Sequence, residues 1–189
     1  MNPVVVITEF PKASELNQSL YARVTEQLQY NVQPNAEVFN GIGGRGTQFN
    51  LHEQKIAEID ELISWIQHIL PEVNKRFATK ETIIEAIPDK EFGYNLNSFE
   101  IAECWGIHYN KTESVLEHNH FPYALSFVYY VRTPKGAAPI IIENKTYDIK
   151  EGQCIFFLAT NYHSVGSNNC NERCAIVGNI LYKEKHERD

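Results

Sequence analysis

The second half of the chain is built from short runs rich in Val, Ile, Phe and Tyr, separated by residues that favour turns. The runs read FEIAECWGIHY, YALSFVYYV, APIII, QCIFFLA and RCAIVGNILY. Their length and residue types are those of β-strands, and several short strands at this spacing are typical of a sandwich or a barrel. The sequence therefore predicts an antiparallel β core over residues 85–185.

The first third of the chain has the periodicity of helices instead. Leu16, Leu20, Val24 and Leu28 recur at four-residue steps after Ser14, which can cap a helix that runs to about Tyr30. A second apolar stripe lies between His52 and Phe77, with an interruption expected at Pro71; it consists of Ile56, Ile59, Leu62, Ile63, Ile66, Ile69 and Leu70. We predict one α+β domain over 1–189, in which a mainly helical flank, 1–80, packs on the outer face of the β core.

Two further segments need an interpretation. The segment NGIGGRGTQFN (40–50) is rich in glycine but lacks the lysine of a phosphate-binding loop, so we interpret it as a mobile loop that can contact a substrate. The first residues, MNPVVVITEF, have neither a basic leader nor a small-residue cleavage site. They favour a strand over a signal peptide.

Composition excludes several classes of function. A net charge of -7 argues against a nucleic-acid partner, because phosphate binding needs clustered Lys and Arg. No apolar stretch approaches the ~20 residues of a membrane span. The four cysteines form no CxxC pair, and we expect no structural disulfide. We expect a cytoplasmic protein, for which a homodimer is one option.

Three histidines and an arginine form the one pattern that suggests chemistry. His118 and His120 lie two residues apart in EHNHFPY, so on an extended backbone both side chains leave the same face. His163 follows the run CIFFLA, and Arg173 opens the next run ten residues later. Imidazoles hold borderline metals such as iron. The pattern indicates a mononuclear metal site with a cation beside it.

From about Trp105 to Asn179 the sequence resembles the 2-oxoglutarate/Fe(II)-dependent oxygenases. It is most similar to those of bacteria and phages that carry HxHP followed by LSGVYYV, and its tyrosine strand resembles the YYL-type run of prolyl hydroxylases. The resemblance implies a double-stranded β-helix, or jelly roll, with outer helices. It also implies a non-haem Fe(II) dioxygenase that uses O2 and 2-oxoglutarate to hydroxylate its substrate, with release of succinate and CO2. A peptide or protein substrate is suggested by the same analogy.

The resemblance also assigns roles to individual residues. His118 and His163 would be the proximal and distal metal ligands, and Arg173 would bind the far carboxylate of 2-oxoglutarate. Tyr130 would donate a hydrogen bond to that carboxylate. Tyr109 and Asn179 are further candidates for contact with 2-oxoglutarate or the substrate. Apart from the resemblance, the segments 40–50 and 132–148 are candidates for the substrate rim.

The third metal ligand departs from the family pattern. Members usually supply His-x-Asp or His-x-Glu, whereas this chain has His120 at the second position. The phage-like subgroup shares HxH, which implies a site of three imidazoles: His118, His120 and His163. The alternative is that His120 lies beside the metal and a carboxylate arrives from elsewhere, although Glu117 points to the opposite face of a regular strand.

Two other classes of protein remain as alternatives. A three-histidine cupin dioxygenase also carries HxH, but it would require a proline and a glycine before His163 and would give Arg173 no role. A non-catalytic β-barrel binding protein would retain its histidines without a metal. Binding of 2-oxoglutarate separates the cupin from the oxygenase, whereas the binding protein would purify without metal and would keep its fold and ligand when His163 is replaced.

Overall fold

A computed structural model describes residues 5–33, 43–77 and 99–182. The helices are α1 (Ala13–Gln27) and α2 (Ala57–Phe77), and a short 3₁₀ helix (Leu51–Glu53) precedes α2. The strands are β1 (Val5–Glu9), β2 (Arg45–Gly46), β3 (Phe99–Tyr109), β4 (Val115–His118), β5 (Leu125–Arg132), β6 (Ile140–Ile142), β7 (Lys145–Tyr147), β8 (Gln153–Leu158), β9 (His163–Val165) and β10 (Arg173–Tyr182).

The strands form two antiparallel sheets that face each other. The larger sheet has the order β1-β8-β5-β10-β3-β2, and the smaller has the order β4-β9-β6-β7. Side chains from both sheets form one apolar cluster between them. A second cluster joins the outer face of the larger sheet to both helices. This is the jelly-roll arrangement with outer helices that the sequence predicted.

Strand β10 shows how the sequence produces these two layers. Cys174, Ile176 and Ile180 belong to the cluster on the helical side, while Ala175 and Val177 belong to the cluster between the sheets. Successive side chains of a strand point to opposite faces, so a strand that is covered on both faces reads as a continuous apolar run. The polar residues of the inner face then stand out as candidates for function.

The helices bury one stripe each against the larger sheet. Leu20 and Val24 of α1 and Leu62 and Ile66 of α2 are fully buried. Gly106 of β3 lies under α1, where an added Cβ would come within 2.6 Å of a Val24 methyl carbon. The absence of a side chain at residue 106 therefore sets how closely α1 approaches the sheet.

We expect Gly106→Ala to lower the free energy of unfolding by about 1 to 3 kcal/mol, because the extra methyl group overpacks this contact. Urea unfolding of the single variant and of Gly106→Ala/Val24→Ala measures the effect. The second change makes room for the methyl group, so the cost of the alanine at 106 should shrink in its presence. An equal cost in both backgrounds would contradict this packing.

Several predictions about local structure need correction. Helix α1 begins at Ala13, before Ser14, and Lys12 at its cap position makes no side-chain hydrogen bond to the helix. Helix α2 begins later than predicted and continues through Pro71. Part of 40–50 lies outside the described residues, but Arg45 and Gly46 form β2 rather than a loop, since they pair with β3.

The predicted strand at the chain start is confirmed, because Val5–Glu9 pairs with β8. β1 and β2 thus place two strands within the segment predicted as a helical flank, 1–80. The division of the chain at 80–85 falls outside the described residues and stays a prediction. All four cysteines are free. Within the described ranges, neither helix has the length and apolar character to cross a membrane.

Candidate functional site

Three imidazoles converge at one end of the smaller sheet. His118 ends β4 and is paired with His163, which begins β9. His120 lies beyond the end of β4, where its backbone N–H donates to the carbonyl of Ala159 at 2.7 Å. The strand predicted to hold both His118 and His120 therefore holds only the first. One nitrogen from each ring lies within 4.8 Å of one nitrogen of the others, so the group could hold a metal ion.

Backbone carbonyls fix the tautomer of two of these rings. Nδ1 of His118 donates to the carbonyl oxygen of Leu116 at 2.8 Å, and Nδ1 of His163 donates to that of Asn161 at 3.3 Å. A neutral imidazole that carries its proton on Nδ1 has its lone pair on Nε2. His118 and His163 therefore both offer Nε2 to a ligand, which is the usual way in which an outer hydrogen bond prepares a metal-binding histidine.

The local electrostatics keep the rings neutral. Burial, together with the neighbouring His118 and His120, lowers the pKa of His163 to about 3. Burial and then the neighbouring His118 lower the pKa of His120 to about 4, and burial also lowers the pKa of His118. Neutral imidazole is the form that binds a metal. In the part of the chain that the structure describes, this group contains no carboxylate.

Aromatic side chains enclose the histidines. The ring of Phe157 packs against His163 with 4.7 Å between centroids, and Trp105 lies 5.9 Å from His120. Phe49 in turn packs edge-on against Trp105 at 5.1 Å. These contacts hold the imidazoles in place and limit the access of water to them.

A buried guanidinium lies on the same inner face. Arg173 is 1% exposed, and its guanidinium carbon lies 4.9 Å from the centroid of the Tyr109 ring and 5.6 Å from that of Tyr130. Nη1 donates to Oδ1 of Asn168 at 3.4 Å, whereas Nε has no hydrogen-bond partner among residues 5–33, 43–77 and 99–182. The adjacent Glu172 pairs instead with Arg132, at 2.9 Å.

Arg173 thus has no carboxylate partner within the described residues. An uncompensated buried charge is costly, and a positioned guanidinium suits the two oxygens of a carboxylate. The buried hydroxyl of Tyr130 beside it likewise has no hydrogen-bond partner of normal geometry in the described part of the chain. Burial raises the pKa of Tyr130, and the charge and the nearby N–H groups of Arg173 partly offset that rise, so the hydroxyl stays protonated and can donate. The pair is suited to an anionic ligand.

The histidines and the guanidinium line the same cavity. A space of about 50 Å³ between the sheets is bounded by all three histidines together with Tyr109, Tyr130, Arg173 and the apolar residues of the inner cluster. A larger cleft of about 360 Å³, formed largely by 133–139, also reaches Tyr130 and Arg173. A ligand that bridges the histidines and Arg173 would lie within the first cavity.

Comparison with solved structures identifies the architecture. The chain superposes on a prolyl-4-hydroxylase of Pseudomonas putida with a TM-score of 0.63 and 14% identity, over 95% of this chain and 92% of the hydroxylase. It superposes on the viral collagen prolyl hydroxylase of Paramecium Bursaria Chlorella virus-1, in its 2OG complex, with a TM-score of 0.65 and 12% identity, over 94% and 96% of the two chains. The chain has the double-stranded β-helix fold of the 2-oxoglutarate oxygenases.

The double-stranded β-helix alone does not define the reaction. A non-heme alpha ketoglutarate dependent epimerase from nogalamycin biosynthesis matches about as well, with a TM-score of 0.64 and 11% identity, over 98% of this chain and 80% of the epimerase. No family model and no curated protein matches the sequence. The activity must therefore be argued from the residues of the cavity.

Asn168 contacts Arg173 at this site and was missed by the sequence analysis. Asn168 is 2% exposed, and its Oδ1 accepts from Nη1 of Arg173 and from the backbone N–H of Ala138. Its Nδ2 donates to the carbonyl of Glu113 at 2.8 Å. Asn168 therefore ties Arg173 to two surrounding loops. It lies in the run SNNCNER, which reads as an ordinary turn and carries no signal for this role.

Asn179 lies on the inner face of β10, as predicted, but its contacts are with other side chains of the protein rather than with the co-substrate cavity. Its amide contacts Ser126, Glu103 and His120, and it is not among the residues that bound the 50 Å³ cavity. Asn179 lies six positions along the strand from Arg173, a distance of about 20 Å. Its predicted contact with the keto acid stays a prediction.

Proposed function

We propose that this chain is a non-haem Fe(II) dioxygenase that uses 2-oxoglutarate and O2 to hydroxylate a C–H bond, with release of succinate and CO2. The observation that carries the proposal is the shared cavity: neutral imidazoles lie at one end, and at the other lies a buried guanidinium that has no carboxylate partner among the described residues. A metal ion would bind the imidazoles at one end of the cavity, and a dicarboxylate would reach from the ion to the guanidinium at the other end.

The histidine group is suited to hold the ion. His118 and His163 bind it through Nε2, and His120 forms the third corner of the group. When bound, the ion supplies the activation of dioxygen, which protein side chains do not provide. The protein holds His118 and His163 with their protons on Nδ1, limits the access of water through Phe157 and Trp105, and keeps the rings neutral.

The opposite end of the cavity is suited to the far carboxylate of 2-oxoglutarate. Arg173 offers its guanidinium, Tyr130 donates from its hydroxyl, and the ring of Tyr109 packs against the guanidinium. Asn168 prevents rotation of the arginine. This set recognises a dicarboxylate that reaches from the metal to Arg173, and a monocarboxylate would leave the guanidinium unpaired.

Tyr130→Phe should weaken 2-oxoglutarate binding about tenfold, since a hydrogen bond to a charged group contributes about 1.5 kcal/mol. The ligand-free variant should be no less stable than the wild type, because among the described residues the deleted hydroxyl has no hydrogen-bond partner of normal geometry. Calorimetric titration of the Mn(II)-loaded protein and urea unfolding without ligand measure the two quantities. Unchanged affinity would show that Tyr130 does not touch the co-substrate.

A polypeptide segment is the substrate class that we propose. Two of the structural neighbours are a viral collagen prolyl hydroxylase and a hydroxylase in complex with a peptide fragment of a hypoxia inducible factor. Exposed apolar side chains stand close to the histidines in sequence, at Leu116, Phe121 and Tyr162. We expect these three side chains to form the rim of the substrate site together with the segments 40–50 and 132–148.

A homodimer and a cytoplasmic location stay predictions.

Succinate production tests the proposed activity. Purified protein with Fe(II), ascorbate and 2-oxoglutarate should release succinate, and a panel of proline-, lysine- and asparagine-containing peptides should raise the rate for an accepted substrate. Protein that binds the metal but neither binds nor turns over 2-oxoglutarate would favour the cupin alternative. Protein that binds neither would favour the non-catalytic β-barrel.

A further inference from the structure

The three imidazoles do not offer a metal the same nitrogen. His118 and His163 donate from Nδ1 to backbone carbonyls, whereas Nδ1 of His120 lies 3.5 Å from the amide nitrogen of Asn179. An amide nitrogen only donates. Nδ1 of His120 is therefore the acceptor, and the neutral ring carries its proton on Nε2, the nitrogen from which the other two rings offer a lone pair.

The orientation of the Asn179 amide is set by its other partners. Nδ2 donates to Oε2 of Glu103 at 2.8 Å, and Oδ1 accepts from the hydroxyl of Ser126 at 2.9 Å. A carboxylate only accepts, so a half-turn of the amide would place two oxygens against each other. Asn179 and Ser126 are 2% and 0% exposed, so water offers no alternative partner.

The strand register places these groups together. Asn179 of β10 is paired with Glu103 of β3 on one side and with Ser126 of β5 on the other. The β10–β3 register shifts immediately after Asn179, so that Ile180 is paired with Ile101. The irregularity is next to the polar contact, and bulges of this kind are frequent beside functional sites, where they redirect side chains.

We infer that His118 and His163 are the primary metal ligands, and that Glu103 and Asn179 hold His120 as a hydrogen-bond donor rather than as a third ligand. Its Nε2–H is then available to an oxygen anion bound at the metal, such as the near carboxylate of an oxo acid. The inference rests on the proposed function in requiring that the histidine group binds a metal. Asn179 is a positioning residue, because it acts through His120.

Metal affinity without co-substrate tests the inference. Competition between the protein and a fluorescent chelator for Mn(II) gives the dissociation constant of each variant. His118→Ala and His163→Ala should weaken Mn(II) binding by at least ~100-fold, since each removes a ligand, while His120→Ala should stay within about threefold of the wild type. Equal losses in all three variants would overturn the inference.

An exchange of acid and amide provides the matched variant. Glu103→Gln/Asn179→Asp keeps the net charge and nearly the same shape, but it places an acceptor beside Nδ1 of His120. That ring would then carry its proton on Nδ1 and offer Nε2 to the metal. Mn(II) affinity should rise about tenfold, and adding His120→Ala to the exchanged protein should remove the gain.

Each result supports or contradicts a separate claim. A folded exchange variant that gains no affinity overturns the assignment of Asn179 as the residue that fixes the tautomer. If the exchange variant does not fold, the three alanine variants still decide whether His120 is a ligand. A wild-type protein that binds no Mn(II) overturns the proposed function itself, whereas equal dependence on all three histidines overturns only this inference.

Discussion

Arg173→Leu should abolish the binding of 2-oxoglutarate. At 100 times its dissociation constant the co-substrate should add about 2.7 kcal/mol to the wild-type free energy of unfolding, or about 5 to 10 °C in Tm for a chain of this size. The variant should show no such shift, because without the guanidinium the far carboxylate of 2-oxoglutarate would be buried with no positive charge beside it. Thermal unfolding with Mn(II), with and without 2-oxoglutarate, measures it.

The same variant separates ligand binding from folding. Arg173 is buried without a carboxylate partner among the described residues, so the shorter, uncharged leucine should leave the ligand-free protein about as stable as the wild type. Arg132→Leu is the matched control, because Arg132 is half-exposed and pairs with Glu172. That control should retain the full shift. A shift that survives in Arg173→Leu would remove Arg173 from the co-substrate site.

His163→Ala should remove metal binding and, with it, every metal-dependent effect. His163 is 6% exposed and offers Nε2 to the ion, so its loss should weaken Mn(II) binding by at least ~100-fold. The thermal shift that Mn(II) produces in the wild type should disappear. Chelator competition gives the affinity, and Tm measured with and without Mn(II) gives the stabilisation.

The matched control for this variant is His108→Ala. His108 is also partly buried, but it lies on the opposite face of β3 from Tyr109 and contacts the hydroxyl of Tyr21 on α1 at 3.2 Å. Its replacement should leave Mn(II) affinity unchanged while altering only the packing of α1. Equal metal affinity in His163→Ala and the wild type would exclude the histidine group as the metal site.

The layers of the fold could be predicted because alternation along strands is a local property. The runs that became β5, β8 and β10 are apolar at both odd and even positions, and the structure covers both of their faces. The helical stripe of α2 is local in the same sense. The start of α2 was predicted too early, because residues 51–53 form a 3₁₀ turn whose residue spacing is close to that of an α-helix.

The polar contacts around the site could not be predicted, since they depend on register. The sequence pattern contained His118, His163 and Arg173, whose convergence follows from the fold that the resemblance implied. The contact of Asn179 with Glu103 depends on the shift between β10 and β3, and no residue pattern marks that shift. Asn168 contacts Arg173 from a turn, and outside helices and strands the spacing of residues does not indicate where their side chains point.

Calorimetric titration of 2-oxoglutarate into the protein, with and without Mn(II), tests the central claim most directly. If one molecule contacts both the ion at His118 and His163 and the guanidinium of Arg173, metal and co-substrate must strengthen each other's binding by the same factor. We predict that Mn(II) raises the affinity for 2-oxoglutarate at least about tenfold, which corresponds to a coupling free energy of about 1.4 kcal/mol. The same affinity in both titrations, or no binding in either, would contradict the account.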